Sequence, residues 1–144
     1  LTKARPIICD VEMVRRGIIR RLLPKDLPVL CEVASEATAQ LARAQATTRS
    51  AAAMEVLCEE MAGGIVVIGN APTALFHLLE MMDRGLASPS LIVGIPVGFV
   101  GAVEAKDALI SDSRGVPFVA VRGRRGGSAM AAAVVNAIAG ELRA

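Results

Sequence analysis

The sequence has few of the aromatic residues that stack on nucleobases. It contains no Trp, no Tyr and 3 Phe in 144 residues. Proteins that hold single-stranded nucleic acid without sequence preference use such residues as stacking platforms. The formal net charge of +2 is also too small for a general polyanion-binding surface. We therefore expect no nucleic-acid partner, and any basic function must be local.

Long apolar runs and metal-binding motifs are missing as well. No run reaches the roughly 20 residues that a membrane span needs, and the basic start "LTKARP" leads into only a short apolar stretch, unlike a signal peptide. We expect no membrane partner and a cytoplasmic location. Cys9, Cys31 and Cys58 lie far apart without a CxxC or Cys/His motif, so we predict free thiols and no metal site. The single histidine, His77, falls on a polar helical stripe and is interpreted as a solvated or interface residue.

Short apolar segments alternate with helical ones along the whole chain. This alternation predicts an α/β fold over residues 1–144: a mostly parallel sheet with helices on both faces, a Rossmann-like variant in a single domain. The predicted strands are "RPIICD", "LPVLCEV", "GIVVIG", "SLIVGIPV" and "VPFVAVRG". The predicted helices are "VEMVRRGI", "SEATAQLARAQA", "TTRSAAAMEVLCEEMAGG", "NAPTALFHLLEMMDRG" and "GGSAMAAAVVNAIAGEL", with a short one at about 103–109.

Capping residues support these helix boundaries. Asp10 is the predicted N-cap of the first helix, and Ser35 and Thr48 are those of the next two. Gly63 and the glycine after it should end the third helix. Pro72 suits a first helical turn, because its missing N–H costs little there.

The loops after the third, fourth and fifth strands are the predicted ligand site, since ligands of such sheets bind at the carboxyl ends of the strands. In "VVIGNAPTAL", Gly69 and the helix start should expose backbone N–H groups as an anion site. Asn70 either caps the helix or reaches a ligand. The loop lacks the GxGxxG dinucleotide pattern, and an ordinary capped turn is the alternative.

The second loop is "GIPVGFVGAVEAKDAL". Gly98 and Gly101 make a low backbone that suits a large flat ligand, and Phe99 and Val100 should be exposed on it. Glu104 and Lys106 are two residues apart and do not face each other on a helix. A solvated helix after a glycine-rich bend is the alternative here.

The third loop, "VRGRRGGSAM", carries three arginines before two glycines and a serine. Guanidinium forks match carboxylate or phosphate oxygens, and the glycines should let an anion approach the helix that Ser128 can cap. The loop is not a Walker A motif, and a solvated basic turn is the alternative. Arg49 in "TTRS" lies in a first helical turn, where a cation is unfavourable. Arg49 is therefore expected to face a ligand or a partner carboxylate.

Taken in order, "ICDVEMVRRGI", "TTRSAAA", "IGNAPTALFHLLE", "PVGFVGAVEAKDAL" and "GVPFVAVRGRRGGSAMAAAVVNA" resemble the precorrin-8X methylmutase family, including its cobalt-precorrin form. The resemblance covers nearly the whole chain and is weakest over residues 22–46. It implies an α/β homodimer with a large site near the subunit interface. It also implies a cofactor-free isomerase of cobalamin biosynthesis that moves a methyl group from C11 to C12 of the precorrin-8X macrocycle, giving hydrogenobyrinic acid, or acts on cobalt-precorrin-8.

The resemblance also assigns roles to residues of the matching motifs. Arg49 becomes a candidate catalytic or substrate-binding arginine, and the other matching positions should line or shape the pocket. These substrate-binding candidates are Thr48, Arg49, Ser50, Asn70, Thr73, Gly98, Phe99, Val100, Gly101, Arg122, Arg124, Gly126, Gly127 and Ser128.

The family's catalytic histidine, which is expected to protonate a ring nitrogen, precedes the counterpart of "PIICDVEMV". That segment has no match here, and the chain begins with Leu1, so we expect a chain that is N-terminally incomplete relative to the family. His77 does not occupy the position of that histidine. Two other functions remain open: a corrinoid-binding module without turnover, and a generic α/β domain that binds a nucleotide or sugar phosphate.

Overall fold

Five short apolar segments form one parallel sheet in the computed structural model, which describes residues 5–143. The strand order β2-β1-β3-β4-β5 and the parallel pairing of all neighbours confirm the predicted α/β class. The predicted domain, 1–144, extends to residues outside the described range. The strands are β1 Ile7–Cys9, β2 Val29–Leu30, β3 Ile65–Ile68, β4 Leu91–Gly94 and β5 Phe118–Ala120.

The register aligns the carboxyl ends of the central strands. Cys9 of β1 lies opposite Val67 of β3, and Ile68 lies opposite Gly94 of β4. The chain leaves β1 towards β2 and later continues from β3 in the other direction, so the strand order reverses between β1 and β3. Such a reversal opens a crevice beyond the strand ends, and Asp10 enters this crevice.

Helices cover the sheet on both faces, as predicted. On one face, Ile8, Val66 and Ile92 pack with residues of the third, fourth and fifth helices; on the other, Ile7 and Val67 pack with the first and sixth. This division follows from the alternation of side chains along a strand. The helices are α1 Glu12–Gly17, α2 Glu36–Gln45, α3 Arg49–Val56, α4 Pro72–Asp83, α5 Ala102–Ser111 and α6 Ser128–Arg143, with 3-10 turns at Arg20–Leu22 and Cys58–Met61.

Two of the predicted N-caps, Ser35 and Thr48, are confirmed, and the predicted end of the third helix was wrong. The Ser35 hydroxyl accepts the Thr38 N–H, and the Thr48 hydroxyl accepts the N–H of the residue three positions later. The third helix is shorter than predicted, because the backbone tightens into a 3-10 turn that buries Met61. That turn is followed by Gly63, whose φ is +71°, so glycine does stop the segment.

Within residues 5–143, no helix is both long enough and apolar enough to cross a membrane. Cys9 is buried, and the other two cysteines are partly buried. Burial raises the pKa of Cys9, and it raises that of Cys31 to about 11. Both thiols are therefore protonated and weakly nucleophilic at neutral pH.

Candidate functional site

Asp10 does not cap α1, contrary to the prediction. The N-cap of that helix is Val11, which makes no side-chain capping bond. The Asp10 carboxylate is fully buried and turns towards the loop after β3. Its Oδ1 accepts the N–H of Gly69 at 2.9 Å, and its Oδ2 accepts those of Asn70 and Ala71 at 3.0 and 2.8 Å. Burial raises the pKa of Asp10, and the three N–H donors act against that rise.

These hydrogen bonds overturn the predicted anion site in the first loop. The backbone donors at 69–71 already hold the protein's own carboxylate, so they are not free for a ligand. Gly69 serves packing instead: a Cβ there would lie 2.6 Å from Val14 and 2.8 Å from the Ser128 Cα. The start of α6 is thereby brought against the end of β3.

Asn70 is not a cap either, because the N-cap of α4 is Ala71, without a side-chain bond. The Asn70 side chain is exposed. Thr73, in the first turn of α4, is also exposed and shares a hydrogen bond of 2.8 Å with the Thr48 hydroxyl. The motifs "TTRS" and "GNAPTAL" therefore meet, although they are far apart in sequence.

Arg49 begins α3, as predicted, and it is exposed. It forms no hydrogen bond or ion pair with any residue that the structure describes. Ser50 follows it in the first helical turn and is partly buried. The helix does not favour a cation at this end, so the position of Arg49 has no explanation in the helix itself.

The second loop lies as predicted. Gly98 and Gly101 have φ of +136° and +85°, which favour glycine. Phe99 is 85% exposed and Val100 is 91% exposed. A Cβ at Gly101 would lie 3.3 Å from Pro72, so the loop rests on the start of α4 and presents two apolar side chains to solvent.

The third loop contacts the second through Arg124. Its guanidinium carbon lies 5.3 Å from the centre of the Phe99 ring, a distance that suits a cation–π contact. Arg122 and Arg125 are exposed and make no side-chain hydrogen bond or ion pair with the described residues. Three guanidinium groups and an exposed ring are thus gathered at one edge of the sheet.

The glycines of this loop have a different role from the one predicted. A Cβ at Gly126 would lie 2.6 Å from the carbonyl oxygens of Ile95 and Pro96. The Gly127 N–H donates to the Ile95 oxygen at 3.0 Å. Gly126 therefore lets the loop pack on the end of β4, and it leaves no room for an anion at that point. Gly127, with φ of +125°, borders open space. Ser128 is the first residue of α6 and not its cap, contrary to the prediction, because the Ala131 N–H donates to the Gly127 carbonyl oxygen.

Lys106 is the residue that sequence reasoning missed. The helix that carries it is partly solvated, as the alternative interpretation held, but this lysine is fully buried. Its Nζ donates to the Arg125 carbonyl oxygen at 2.6 Å, and burial lowers its pKa. The available signal was its spacing: Lys106 lies four residues after Ala102 and three before Leu109, both buried on the inner face of α5.

His77 lies between α3 and α4, not in the loops. Its Nε2 is 3.1 Å from Glu55 Oε2, and its Nδ1 is 3.8 Å from Glu80 Oε2. The predicted polar stripe is therefore present, and it faces a neighbouring helix. A cavity of about 210 Å³ adjoins it, lined by Thr47, Ala51, Thr73, Phe76, His77 and Glu80.

Several basic side chains near the loops have no carboxylate partner among the described residues, and Lys25 and Arg84, away from the loops, have none either. Elsewhere in the described chain, Arg114 pairs with Asp83 at 2.8 Å, and Arg15 pairs with Glu12 at 2.8 Å. A set of five basic side chains, which we call the loop cations, has no ion pair with any described residue. The loop cations are Arg49, Lys106, Arg122, Arg124 and Arg125.

A larger cavity, of about 510 Å³, lies on another flank and is lined by Arg15, Arg16, Ile18, Arg20 and Val29. Two of its cations are already engaged, since Arg15 bonds Glu12 and Arg20 donates to the Leu27 carbonyl at 2.7 Å. Its size alone does not make it the site. No group of His, Cys, Asp and Glu that could hold a metal ion occurs among residues 5–143.

Comparison with known proteins agrees with this fold and these motifs. A family model described as "Precorrin-8X methylmutase" matches residues 1–141. The chain is 55% identical to the precorrin-8X methylmutase of Pseudomonas aeruginosa, over 98% of this chain and 68% of that protein. It is 53% identical to that of a Sinorhizobium species, over 96% of this chain and 66% of that protein.

A solved structure titled "precorrin-8X methylmutase related protein" superposes with a TM-score of 0.84 at 38% identity, over 93% of this chain and 70% of that one. The chain thus spans about two thirds of the length of the curated relatives it matches. The resemblance seen in the motifs is confirmed: this chain belongs to the precorrin-8X methylmutase family.

Proposed function

We propose that the protein is an isomerase of cobalamin biosynthesis that moves a methyl group from C11 to C12 of precorrin-8X or cobalt-precorrin-8. One carbon–carbon bond breaks and one forms within the same molecule, so no redox partner is required. Family membership supports this reaction. The binding-only alternative is not favoured, because the matching relatives are named methylmutases.

The exposed arginines among the loop cations are the main support for a substrate rich in carboxylates. A contracted tetrapyrrole is fringed with acetate and propionate carboxylates, and guanidinium forks bind carboxylates through paired hydrogen bonds. Arg49, Arg122 and Arg124 are exposed and have no acidic partner among residues 5–143. We assign them to the substrate carboxylates.

The apolar part of the substrate fits the second loop. The macrocycle is broad and flat, and the exposed Phe99 and Val100 would lie against it and exclude water. Asn70 and Thr73 border the same edge with exposed side chains. A nucleotide or sugar phosphate is a poorer fit, since the backbone donors at 69–71 hold Asp10.

The proton that eases the shift is supplied, on the family pattern, by a histidine that precedes the counterpart of Ile7–Cys9. Protonation of a ring nitrogen withdraws electrons from ring C and favours the migration. We do not assign this role to His77, because its Nε2 is engaged by Glu55 at 3.1 Å between two helices. Arg49, Arg122 and Arg124 hold the carboxylates and thereby fix the position of the ring.

The experiment is an absorbance titration of the protein with hydrogenobyrinic acid. Arg124→Ala should weaken binding about tenfold, the value of one charge-assisted hydrogen bond. Arg84→Ala, which removes an exposed arginine at the far end of α4, is the matched control and should bind like the wild type. Equal affinity of the Arg124→Ala variant and the wild type would contradict the carboxylate assignment.

The proposal includes a homodimer, on the family pattern. Sedimentation equilibrium with and without the corrinoid measures the mass, and a monomer under both conditions would remove this part. A cytoplasmic location stays a prediction.

A further inference from the structure

Lys106 occupies an unusual environment for a lysine. It is fully buried on the inner face of α5, beside Ala105 and Leu109. Lysine is rarely buried unless it is paired, yet the only hydrogen bond that its ammonium makes in the described chain goes to the Arg125 carbonyl oxygen, at 2.6 Å. No carboxylate within residues 5–143 forms an ion pair with it. The fold therefore retains a buried positive charge without an ion pair in this part of the chain; the charge of the neighbouring, exposed Asp107 favours the ammonium form, while burial opposes it.

The hydrogen bond joins α5 to the third loop of the candidate site. Arg125 lies between the Arg124 side chain, which covers Phe99, and Gly126, which packs on the end of β4. Two hydrogen bonds hold this loop. The Gly127 N–H donates to the Ile95 carbonyl oxygen, and Lys106, on the helix that follows the second loop, donates to the Arg125 carbonyl oxygen. We call the segment with Arg122, Arg124 and Arg125 the arginine loop. Without the lysine, the contacts of Gly126 and Gly127 with the end of β4 remain to hold it.

The charge has a consequence for the same loop. Burial of an ammonium without an ion pair is costly, and the exposed arginines of this loop have no acidic partner among the described residues. Such a cluster is tolerated when an anion completes it, and a polycarboxylate would supply several negative charges at once.

We propose that Lys106 is a positioning residue: its ammonium holds the Arg125 carbonyl so that Arg122 and Arg124 face the substrate, and the carboxylates of the bound tetrapyrrole balance its charge. This role rests on the proposed function. Lys106 itself is too deeply buried to touch the ligand, so it acts through the arginine loop.

A double-mutant cycle tests this coupling. Hydrogenobyrinic acid is titrated into the wild type, Lys106→Met, Arg124→Ala and the double variant, with unfolding temperature and circular dichroism as checks on folding. Methionine keeps the length of the side chain and removes the donor and the charge. Lys106→Met should weaken binding tenfold to about a hundredfold, as expected for a hydrogen bond to a charged group. The double variant should bind no more weakly than the weaker single variant, because both changes disable one loop.

Lys25→Met is the matched control. It removes the same charge from an exposed position, so a purely general electrostatic effect would weaken binding equally in both lysine variants. Equal affinity of Lys106→Met and Lys25→Met would overturn the proposal. Additive losses in the cycle would overturn it too, since Lys106 would then act independently of Arg124.

Two further results separate this proposal from the function on which it rests. If the wild type does not bind the corrinoid, the proposed function fails, and the role of Lys106 fails with it. If Lys106→Met does not fold, NMR of 15N-lysine-labelled wild type tests the role of Lys106 through its Nζ resonance. It should shift on addition of the corrinoid while that of Lys25 stays, and an unchanged Lys106 resonance would overturn the proposal.

Discussion

Replacing Asp10 by asparagine tests the hydrogen bonds that hold the loop after β3. The carboxylate is fully buried and accepts three backbone N–H groups at 2.8 to 3.0 Å. Asparagine has nearly the same shape but offers only one acceptor oxygen. In the better orientation that oxygen takes the place of Oδ2 and keeps Asn70 and Ala71, while the amide N–H group faces the Gly69 N–H.

The cost follows from this geometry. One buried N–H without an acceptor costs about 1–3 kcal/mol, and two bonds to a neutral oxygen replace two stronger bonds to a carboxylate. Part of the loss is offset, because the substitution also removes a buried charge, whose desolvation raises the pKa of Asp10. We expect Asp10→Asn to lower the free energy of unfolding by about 2 kcal/mol.

Urea unfolding followed by circular dichroism measures this free energy, and an unchanged m-value would show that the two end states are comparable. Asp26→Asn, the same substitution at an exposed aspartate, is the control and should change stability by less than about 0.5 kcal/mol. If Asp10→Asn is as stable as this control, the carboxylate is not what holds the loop, and the reasoning is refuted.

Two more predictions concern packing and pH. Gly126→Ala should destabilise the protein by about 1–3 kcal/mol, because its Cβ would lie 2.6 Å from the Ile95 carbonyl oxygen. Gly140→Ala, where nothing lies within 4 Å, is the control and should be neutral or stabilising in thermal unfolding. The opposite order of stability would contradict the packing argument. The Arg114 guanidinium lowers the pKa of Asp83, so this carboxylate contributes stability that is present above its ordinary pKa of about 3.9 and is lost as pH falls through the lower folded value. Asp83→Asn should flatten that part of the acid unfolding profile, and identical profiles would show that the pair contributes nothing measurable.

The large elements followed from local patterns. Apolar runs such as "GIVVIG" and caps such as Ser35 act within a few residues, so the sequence is enough to place β3 and α2. The strand order could not be read from these patterns, because it depends on pairing between distant segments. The alternation of strands and helices nevertheless restricted it to a parallel sheet.

The candidate site divides in the same way. The exposure of Phe99, the helix-end position of Arg49 and the accumulation of arginines before α6 are visible in the chain itself. They depend on residue type and on neighbours in sequence, so the sequence by itself was enough to predict a carboxylate-rich, partly apolar ligand, and it determined where these exposed groups fall along the chain.

Only the tertiary structure decided how the polar groups around this site are used. Asp10 was read as a cap because a helix follows it, but the strand reversal puts the 69–71 donors within its reach. Gly126 was read as space for an anion, but β4 fills that space. For the segment with Lys106, a solvated helix was one of two interpretations, but α5 packs on the sheet with this lysine inward. Each outcome depends on which distant backbone group lies opposite, and residue order along the chain does not specify that.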